Sequence, residues 1–302
     1  MTALLLATLT GCISAKSLVK DMVGDLTPAQ ETLVYEKMAS KANKATTVGG
    51  VVLKQPSGGN WSIGKLSGTL KHDTGELSTN DETYQFTGVG GMNAQGQVSD
   101  GNGSNVTITP IAGYEYVASY DQTYTHNGQT YDNSGTIGII TEAHDMPSGG
   151  KATYRGLSTA SLQGDVTNSK IVNMKDGQSL VEADFGAGKV DVTMSNFQSV
   201  VELDGNNNET PTTAPIDRIL ITDMDISGNR FSGGTTELQS HGNRVAFGTV
   251  TGANTNVQSE GVFFGYNNDR KAPDEVAGGV YAKGDTGQVI GTFVGNIQTP
   301  VQ

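Results

Sequence analysis

The chain has 302 residues, with 41 glycines, 8 prolines and a single cysteine. This length allows one or two domains and is sufficient to bury a hydrophobic core. The glycines follow no regular period, which excludes collagen, and one cysteine excludes an intrachain disulfide or a zinc site of the cysteine type. The net charge of −12 argues against a surface that binds nucleic acid or an anionic membrane.

The N-terminus begins with a short apolar stretch, Ala3–Leu9. A bilayer-spanning helix needs about 20 apolar residues, so this stretch fits the core of a signal peptide instead. Leu9-Thr10-Gly11-Cys12 then resembles the bacterial lipobox, in which the chain is cut before the cysteine and the cysteine receives fatty-acyl chains such as palmitate. We therefore expect residues 1–11 to be a lipoprotein signal peptide and Cys12 to anchor the protein to the outer membrane.

Residues 12–47 are predicted to form the acylated N-terminus and a helical tether. Thr27-Pro28-Ala29-Gln30 is typical of a helix start, because the threonine can cap the first turn and proline suits the first helical position. Two arrangements remain open for this helix. It either holds the rest of the chain away from the membrane or packs on the folded body.

From Val48 onward the apolar pattern changes from a helical period to alternation. Short runs rich in valine, isoleucine, threonine and tyrosine are separated by turn residues, which predicts an all-β sandwich or barrel. Pro147-Ser148-Gly149-Gly150 is the best candidate domain boundary, and residues 206–215 form a long polar loop between two strands.

The second half of the chain, residues 149–296, resembles the β-barrel domain of the transferrin-binding protein B family of surface lipoproteins. The resemblance rests on an opening strand, two hairpins and a closing set of glycine–aromatic motifs in the expected order. These are Gly150–Gly156, Glu182–Gly186 with Lys189–Val192, Asp225–Gly233, Gly261–Gly265, Asp274–Tyr281 and Gly291–Gly295. Tyr266 stands where the family has a proline, and the spacer to Glu275 is longer.

The resemblance implies an antiparallel eight-stranded β-barrel over residues 149–302. A smaller β-rich, handle-like subdomain at residues 48–146 would precede it, after the helical tether. A set of aromatic residues is expected to fill the barrel interior: Phe185, Phe231, Phe263, Tyr281 and Phe293. We expect the segment from Gly149 to the C-terminus to fold by itself.

The resemblance also implies a ligand-binding module at the cell surface, because relatives bind transferrin, haemoglobin or complement regulators. The partner would be a protein or an iron or haem carrier, with a TonB-dependent receptor as a second partner. Two alternatives remain open: a structural envelope protein without a soluble ligand, and a carrier of haem or another small molecule.

Catalytic motifs are not found in the sequence. The four histidines are isolated, and neither His-x-x-x-His nor Gly-x-Ser-x-Gly occurs. A loop that begins at Asp100 resembles a calcium loop but has Asn105 and Ile111 where glycine and glutamate are required. We therefore expect a protein without enzymatic activity, metal or cofactor.

Five tyrosines lie within eighteen residues and are the candidate ligand-binding residues. Tyrosine offers a large rigid contact area with a polar tip, as protein interfaces prefer. Ordinary strand tyrosines between core and surface, and a haem ligand, are the alternatives. The five are Tyr114, Tyr116, Tyr120, Tyr124 and Tyr131.

Overall fold

The structure is a computed structural model. It describes residues 46–56, 61–71, 76–79, 83–85, 97–99, 105–126, 129–164, 167, 170–204, 208–245, 256–266 and 271–299. The predicted signal peptide, Cys12 and nearly all of the predicted tether lie outside the described residues. Among the residues described, no helix is long and apolar enough to cross a membrane.

The first eight strands form one antiparallel sheet, which we call the handle. Its strands are β1 (Thr46–Pro56), β2 (Ser62–Lys71), β3 (Glu76–Thr79), β4 (Thr83–Gln85), β5 (Gln97–Ser99), β6 (Asn105–Pro110), β7 (Val117–His126) and β8 (Gln129–Ile139). They lie in the order β4-β3-β2-β1-β8-β7-β6-β5. The first and last strands of the handle are therefore neighbours at the centre of the sheet, although about eighty residues separate them in the chain.

A short 3-10 turn at Ala143–Asp145 leads from the handle into the second sheet. The strands of this sheet are β9 (Lys151–Gly164), β10 (Ile171–Asp184), β11 (Lys189–Ser195), β12 (Ser199–Leu203), β13 (Glu209–Pro211), β14 (Arg218–Ser227), β15 (Arg230–Ser232), β16 (Thr235–Ser240), β17 (Asn243–Val245), β18 (Asn256–Phe264), β19 (Glu275–Lys283) and β20 (Gly287–Thr299).

Eight of these strands close into a ring. Each of β9, β10, β11, β14, β15, β18, β19 and β20 pairs antiparallel with the next, and β20 pairs with β9. Two short hairpin extensions leave this ring: β12 and β13 continue from β10, and β16 and β17 continue from β14. The predicted all-β fold, with an eight-stranded antiparallel barrel after a separate sheet, is confirmed.

Aromatic rings fill the interior of the barrel. Phe231 lies 5.0 Å from Phe263 between ring centroids, and Phe185 lies 5.5 Å from Phe263. Tyr154 and Phe293 complete the group, at 6.1 Å from Phe263 and 6.4 Å from Phe231 respectively. Strand alternation places these residues inward, so four of the five predicted interior aromatics are confirmed.

The predicted interior position of Tyr281 is wrong. Its neighbours Val280 and Ala282 belong to the barrel core, so alternation turns Tyr281 to the outer wall. There it is fully buried against Leu53 and Trp61 of the handle. The outer wall of the barrel is thus a packed surface at this position.

The handle has its own apolar cluster on the sheet face that turns away from the barrel. Val48 and Val52 of β1 contribute to this cluster, whereas the intervening Val51 and the next residue, Leu53, face the barrel. The central strand of the handle is therefore apolar on both faces, as expected of a strand that is covered on both sides. The cluster also contains Leu66, Ile108, Ala118, Tyr120, Ile137 and Ile139.

Candidate binding surface

The five predicted tyrosines separate into three environments. Tyr120, in the middle of β7, is fully buried in the apolar cluster of the handle. Its side chain supports the sheet from the inside. A role in direct ligand contact would require this core to open, so Tyr120 has the environment of a structural residue.

Tyr114 and Tyr116 lie where the handle meets the barrel. Tyr114 follows a turn in which its amide donates to the carbonyl oxygen of Ile111 at 3.1 Å, and its ring is buried beside Phe264. Burial raises the pKa of the Tyr114 phenol, and the nearby carboxylate of Glu275 raises it further. Tyr116 is half-buried, and its ring packs against the backbone of Gly265. These two side chains belong to the junction.

Tyr124 and Tyr131 are opposite each other near the end of the β7–β8 hairpin. Tyr131 is half-buried, and its neighbour Thr130 is exposed. The side chain of Tyr124 lies outside the described part of the structure. Among the described side chains of the tyrosine segment, the exposed one therefore lies at this hairpin end.

A buried carboxylate fixes the start of the hairpin. Glu275 of β19 is 2% exposed, and it accepts hydrogen bonds from three consecutive backbone amides of the handle. These amides belong to Glu115, Tyr116 and Val117, with distances of 2.5, 2.9 and 2.9 Å. Charge-assisted bonds of this kind are stronger than neutral ones, so Glu275 holds this segment in one position.

A second polar contact joins the central strands of the handle to the barrel. The guanidinium of Arg230 donates to the carbonyl oxygens of Gly50 and Leu66, at 3.0 and 2.6 Å. Burial lowers the pKa of Arg230, and the carboxylate of Glu260 opposes this effect. Lys65 of the handle lies 3.7 Å from the same carboxylate. The amide of Ile63 donates to Gln258 at 2.8 Å.

Apolar contacts surround these polar ones. Val51 and Val117 of the handle pack with Val262, Phe264 and three other residues of the junction, Ala277, Val294 and Ile111. Trp61, which is 3% exposed, packs with Tyr281 and Ile290 on the barrel wall. The burial of these side chains makes a hydrophobic contribution to docking, and it excludes water from the polar bonds beside them.

The connection between the two sheets is itself hydrogen-bonded to the barrel. The amide of Thr141 donates to the carbonyl oxygen of Phe263 at 2.9 Å, and the amide of Gly265 donates to that of Ile139 at 3.0 Å. The side chain of Asn229 donates to the carbonyl oxygen of Thr141 at 2.7 Å. Handle and barrel therefore present their outer loops from one packed frame.

The polar loop at residues 206–215 differs from the tyrosine segment. Its described part contains the exposed strand β13, from Glu209 to Pro211, which pairs with β12. The side chain of Glu209 forms an ion pair with Lys175 at 2.7 Å. The loop offers carboxylate, hydroxyl and proline groups, without an aromatic or arginine anchor in its sequence.

Sequence reasoning missed Glu275 and Arg230 as residues that position the candidate surface. Both lie within the barrel motifs, which indicate packing positions and do not single out a buried charge. Their partners are about 160 and 180 positions away in the chain. A glutamate in an otherwise apolar strand, Glu275–Tyr281, was the signal that could have indicated a buried carboxylate.

Comparison with solved structures gives relatives at low identity. Intact Ap-TbpB, with its N and C lobes, is 19% identical, with a TM-score of 0.47, over 83% of this chain and 46% of that one. A double mutant of Transferrin Binding Protein B from Haemophilus parasuis Hp5 is 17% identical, with a TM-score of 0.49, over 83% and 45%. The isotype 1 protein from serogroup B Neisseria meningitidis is 15% identical, with a TM-score of 0.47, over 82% and 43%.

This chain spans less than half the length of these three proteins. No curated protein matches its sequence. The protein family that matches is described as the C-lobe and N-lobe beta barrels of Tf-binding protein B, and the match covers residues 146–296. These residues contain seven strands of the ring completely and β20 as far as Asn296. The chain belongs to the transferrin-binding protein B beta-barrel family.

Proposed function

We propose that this protein is a lipid-anchored protein of the outer-membrane surface that binds a protein ligand, with an iron carrier of the transferrin class as the first candidate. Family membership supports this proposal, because the family is named for binding Tf. In this proposal residues 1–11 are removed, Cys12 is acylated, and residues 12–47 connect the anchor to the handle at 48–146 and the barrel at 149–302. A TonB-dependent receptor is a second proposed partner.

One observation supports a protein ligand over a small one. The interior of the barrel is occupied by rings in contact, and Phe263 packs with three other aromatic side chains, those of Tyr154, Phe185 and Phe231. A haem or another small molecule in the barrel would have to displace this core. A ligand on the outer loops would leave the core intact, and a rigid frame of this kind is suited to present loops to a protein.

We further propose that the end of the β7–β8 hairpin contacts the ligand through Tyr131 and Tyr124. In this proposal Tyr114, Tyr116 and Tyr120 act as supports that position the hairpin. An enzymatic activity is not part of the proposal, since the family is described as a binding protein.

The binding proposal is tested with the full chain carrying Cys12→Ala, which removes the acylation site. Iron-loaded transferrin, iron-free transferrin, haemoglobin and serum albumin are immobilised on separate biosensor surfaces. We expect saturable binding to one iron carrier and none to albumin. Binding to none of the carriers would contradict the proposal and favour a structural envelope protein.

The placement of the site is tested on the carrier that binds. Tyr131→Ala removes the proposed anchor, and a truncated interface aromatic typically costs at least about 2 kcal/mol, or about thirtyfold in affinity. Tyr266→Ala is the matched control, because Tyr266 is a half-buried tyrosine on the barrel. Equal affinities of the two variants, with unchanged thermal unfolding, would contradict this placement.

A further inference from the structure

Two arginines lie in one row across β14, β16 and β17, with a glutamine between them. In the register, Arg218 of β14 is opposite Gln239 of β16, and Gln239 is opposite Arg244 of β17. Residues that are directly opposite in an antiparallel sheet share a face, so the three side chains form one row. Both arginines are exposed. We call this row the arginine ledge.

The reverse face of the ledge is anchored in the barrel core. Ile219 is opposite Leu238, and Leu238 is opposite Val245, and these side chains pack into the main apolar cluster. The hairpin turns through His241 and Gly242, with φ values of 52° and 76°. This is the conformation of a tight two-residue hairpin. The amide of His241 donates to the Asp217 carboxylate at 2.8 Å, which fixes the turn. The two arginines are therefore held on a rigid support.

The ledge differs from the other cationic positions of the barrel. Four lysines of the barrel wall pair with carboxylates of other segments of the same sheet, at distances of 2.7 to 3.0 Å: Lys151, Lys170, Lys175 and Lys189. Within the part of the chain that the structure describes, neither Arg218 nor Arg244 has an acidic side chain within 4 Å. Glu237 lies on the same face, but its Oε1 accepts from the Gln239 amide at 2.7 Å.

We propose that the arginine ledge binds the carboxylates of an acidic, extended segment of a partner protein. The strands of Arg218 and Arg244 are two strand spacings apart, or about 10 Å. In an extended segment with polyproline II geometry, which has three residues per turn and rises about 3.1 Å per residue, two carboxylates three residues apart lie on one face and about 9 Å apart. A guanidinium binds a carboxylate through two parallel hydrogen bonds, which gives such a contact both strength and orientation.

The charge of the chain favours a protein segment over a membrane as the occupant. The net charge of the protein is −12, so an extended anionic surface such as a membrane repels the protein as a whole. A short acidic segment contacts the ledge within a Debye length, about 8 Å at physiological salt, where the two arginines attract it. The ledge belongs to the barrel sheet, whereas the tyrosine hairpin belongs to the handle. The inference therefore does not depend on an iron carrier as the ligand.

The experiment uses the full chain with Cys12→Ala and two fluorescent hexapeptides. One peptide carries two glutamates three residues apart, and the other carries glutamines at the same positions. Fluorescence anisotropy at low salt measures binding to the parent protein, to the double variant Arg218→Gln/Arg244→Gln, and to Arg155→Gln. Arg155 is the matched control, as an exposed arginine on the outer wall of β9.

We expect the parent protein and Arg155→Gln to bind the glutamate peptide at least about tenfold more tightly than the glutamine peptide. The double variant should lose this preference while it keeps the melting temperature of the parent. No preference in the parent protein, or a preference that survives in the double variant, would overturn the proposal. Stronger ledge-dependent binding to phosphatidylglycerol vesicles than to the peptide would also overturn it and assign the ledge to lipid.

Discussion

The carboxylate of Glu275, in barrel strand β19, accepts a hydrogen bond from the backbone amide of Val117, in handle strand β7, at 2.9 Å. The two residues are 158 positions apart in the chain, and both are buried. This bond and the bonds from the amides of Glu115 and Tyr116 take the place of the hydrogen bonds to water that amides at the start of a strand would otherwise make. The position of the tyrosine hairpin therefore depends on one side chain of the barrel.

Glu275→Gln tests this dependence. The amide of glutamine offers one acceptor oxygen where the carboxylate offers two, and its NH2 group would face a backbone donor. A buried donor without a partner costs about 1–3 kcal/mol, so we expect a clear fall in the free energy of unfolding. Chemical denaturation measures it. Glu182→Gln is the matched control, because Glu182 is exposed on the barrel wall. A cost no larger than that of the control would contradict the anchoring role.

Glu260 gives a prediction of pH dependence. Burial raises the pKa of its carboxyl, and Lys65 and Arg230 oppose this effect without removing it. A carboxyl whose folded-state pKa lies above its unfolded value binds a proton more readily in the folded state. Its ionised form therefore reduces stability at neutral pH. This loss is recovered as the pH falls through the folded pKa towards the unfolded value of about 4.3.

Glu260→Gln should accordingly melt slightly above the parent protein at pH 7, with the difference shrinking as the pH approaches 4. Scanning calorimetry at several pH values measures both proteins. The opposite sign, with the variant melting lower at pH 7, would show that the pairing with Lys65 and Arg230 outweighs the cost of burial. Glu182→Gln again reports the effect of removing an exposed charge.

A comparison of two glycines distinguishes the cost of backbone strain from the cost of close packing. Gly265 has φ +63°, and a Cβ there would lie 2.5 Å from the ring of Tyr116. Gly188 has φ +67°, with open space around the position of a Cβ. Both alanine variants carry the cost of a left-handed backbone, about 1–2 kcal/mol. Gly265→Ala should cost more, because Tyr116 has to move. Equal unfolding free energies for the two variants would contradict the tight contact at the junction.

The barrel by itself should fold but should also self-associate. A fragment from Gly149 to the C-terminus keeps all eight strands of the ring, but it uncovers Tyr281, Ile290, Val262 and Phe264 on the outer wall. An apolar patch of this kind promotes association. We expect a cooperative β-sheet melt together with concentration-dependent oligomers on gel filtration. The fragment with Tyr281→Ser and Ile290→Thr should be monomeric. A soluble fragment without a cooperative transition would refute independent folding.

Much of the barrel could be predicted from the sequence, because the alternation of apolar and polar residues shows which face of a strand is buried. Phe231, Phe263 and Phe293 stand at positions where alternation and the glycine motifs agree, and all three are interior. The same reasoning failed at Tyr281, since every residue from Glu275 to Ala282 is buried. A strand that is covered on both faces is apolar along most of its length, so alternation does not mark its outer side.

The candidate surface was less predictable, for a different reason. A cluster of tyrosines in the sequence identifies a segment rich in aromatic side chains, but on the same hairpin Tyr120 is fully buried and Tyr131 is half-buried. The exposure of each tyrosine depends on which other side chains pack over its position in the sheet. Contacts such as Arg230 with Leu66 join residues 164 positions apart, and no local pattern reports them.

Capture of the ligand by intact cells tests most directly whether the protein is a lipid-anchored surface protein that binds a protein ligand. Cells that express the parent protein, or Cys12→Ala, are incubated with the fluorescent carrier that binds on the biosensor, and the carrier retained after washing is measured. Cys12→Ala should leave the handle and the barrel unchanged while it removes the proposed acylation site. We predict strong, protease-sensitive retention by the parent cells and only background retention by the variant. Equal retention by both, or retention by neither, would contradict a lipid-anchored surface protein that binds a protein ligand.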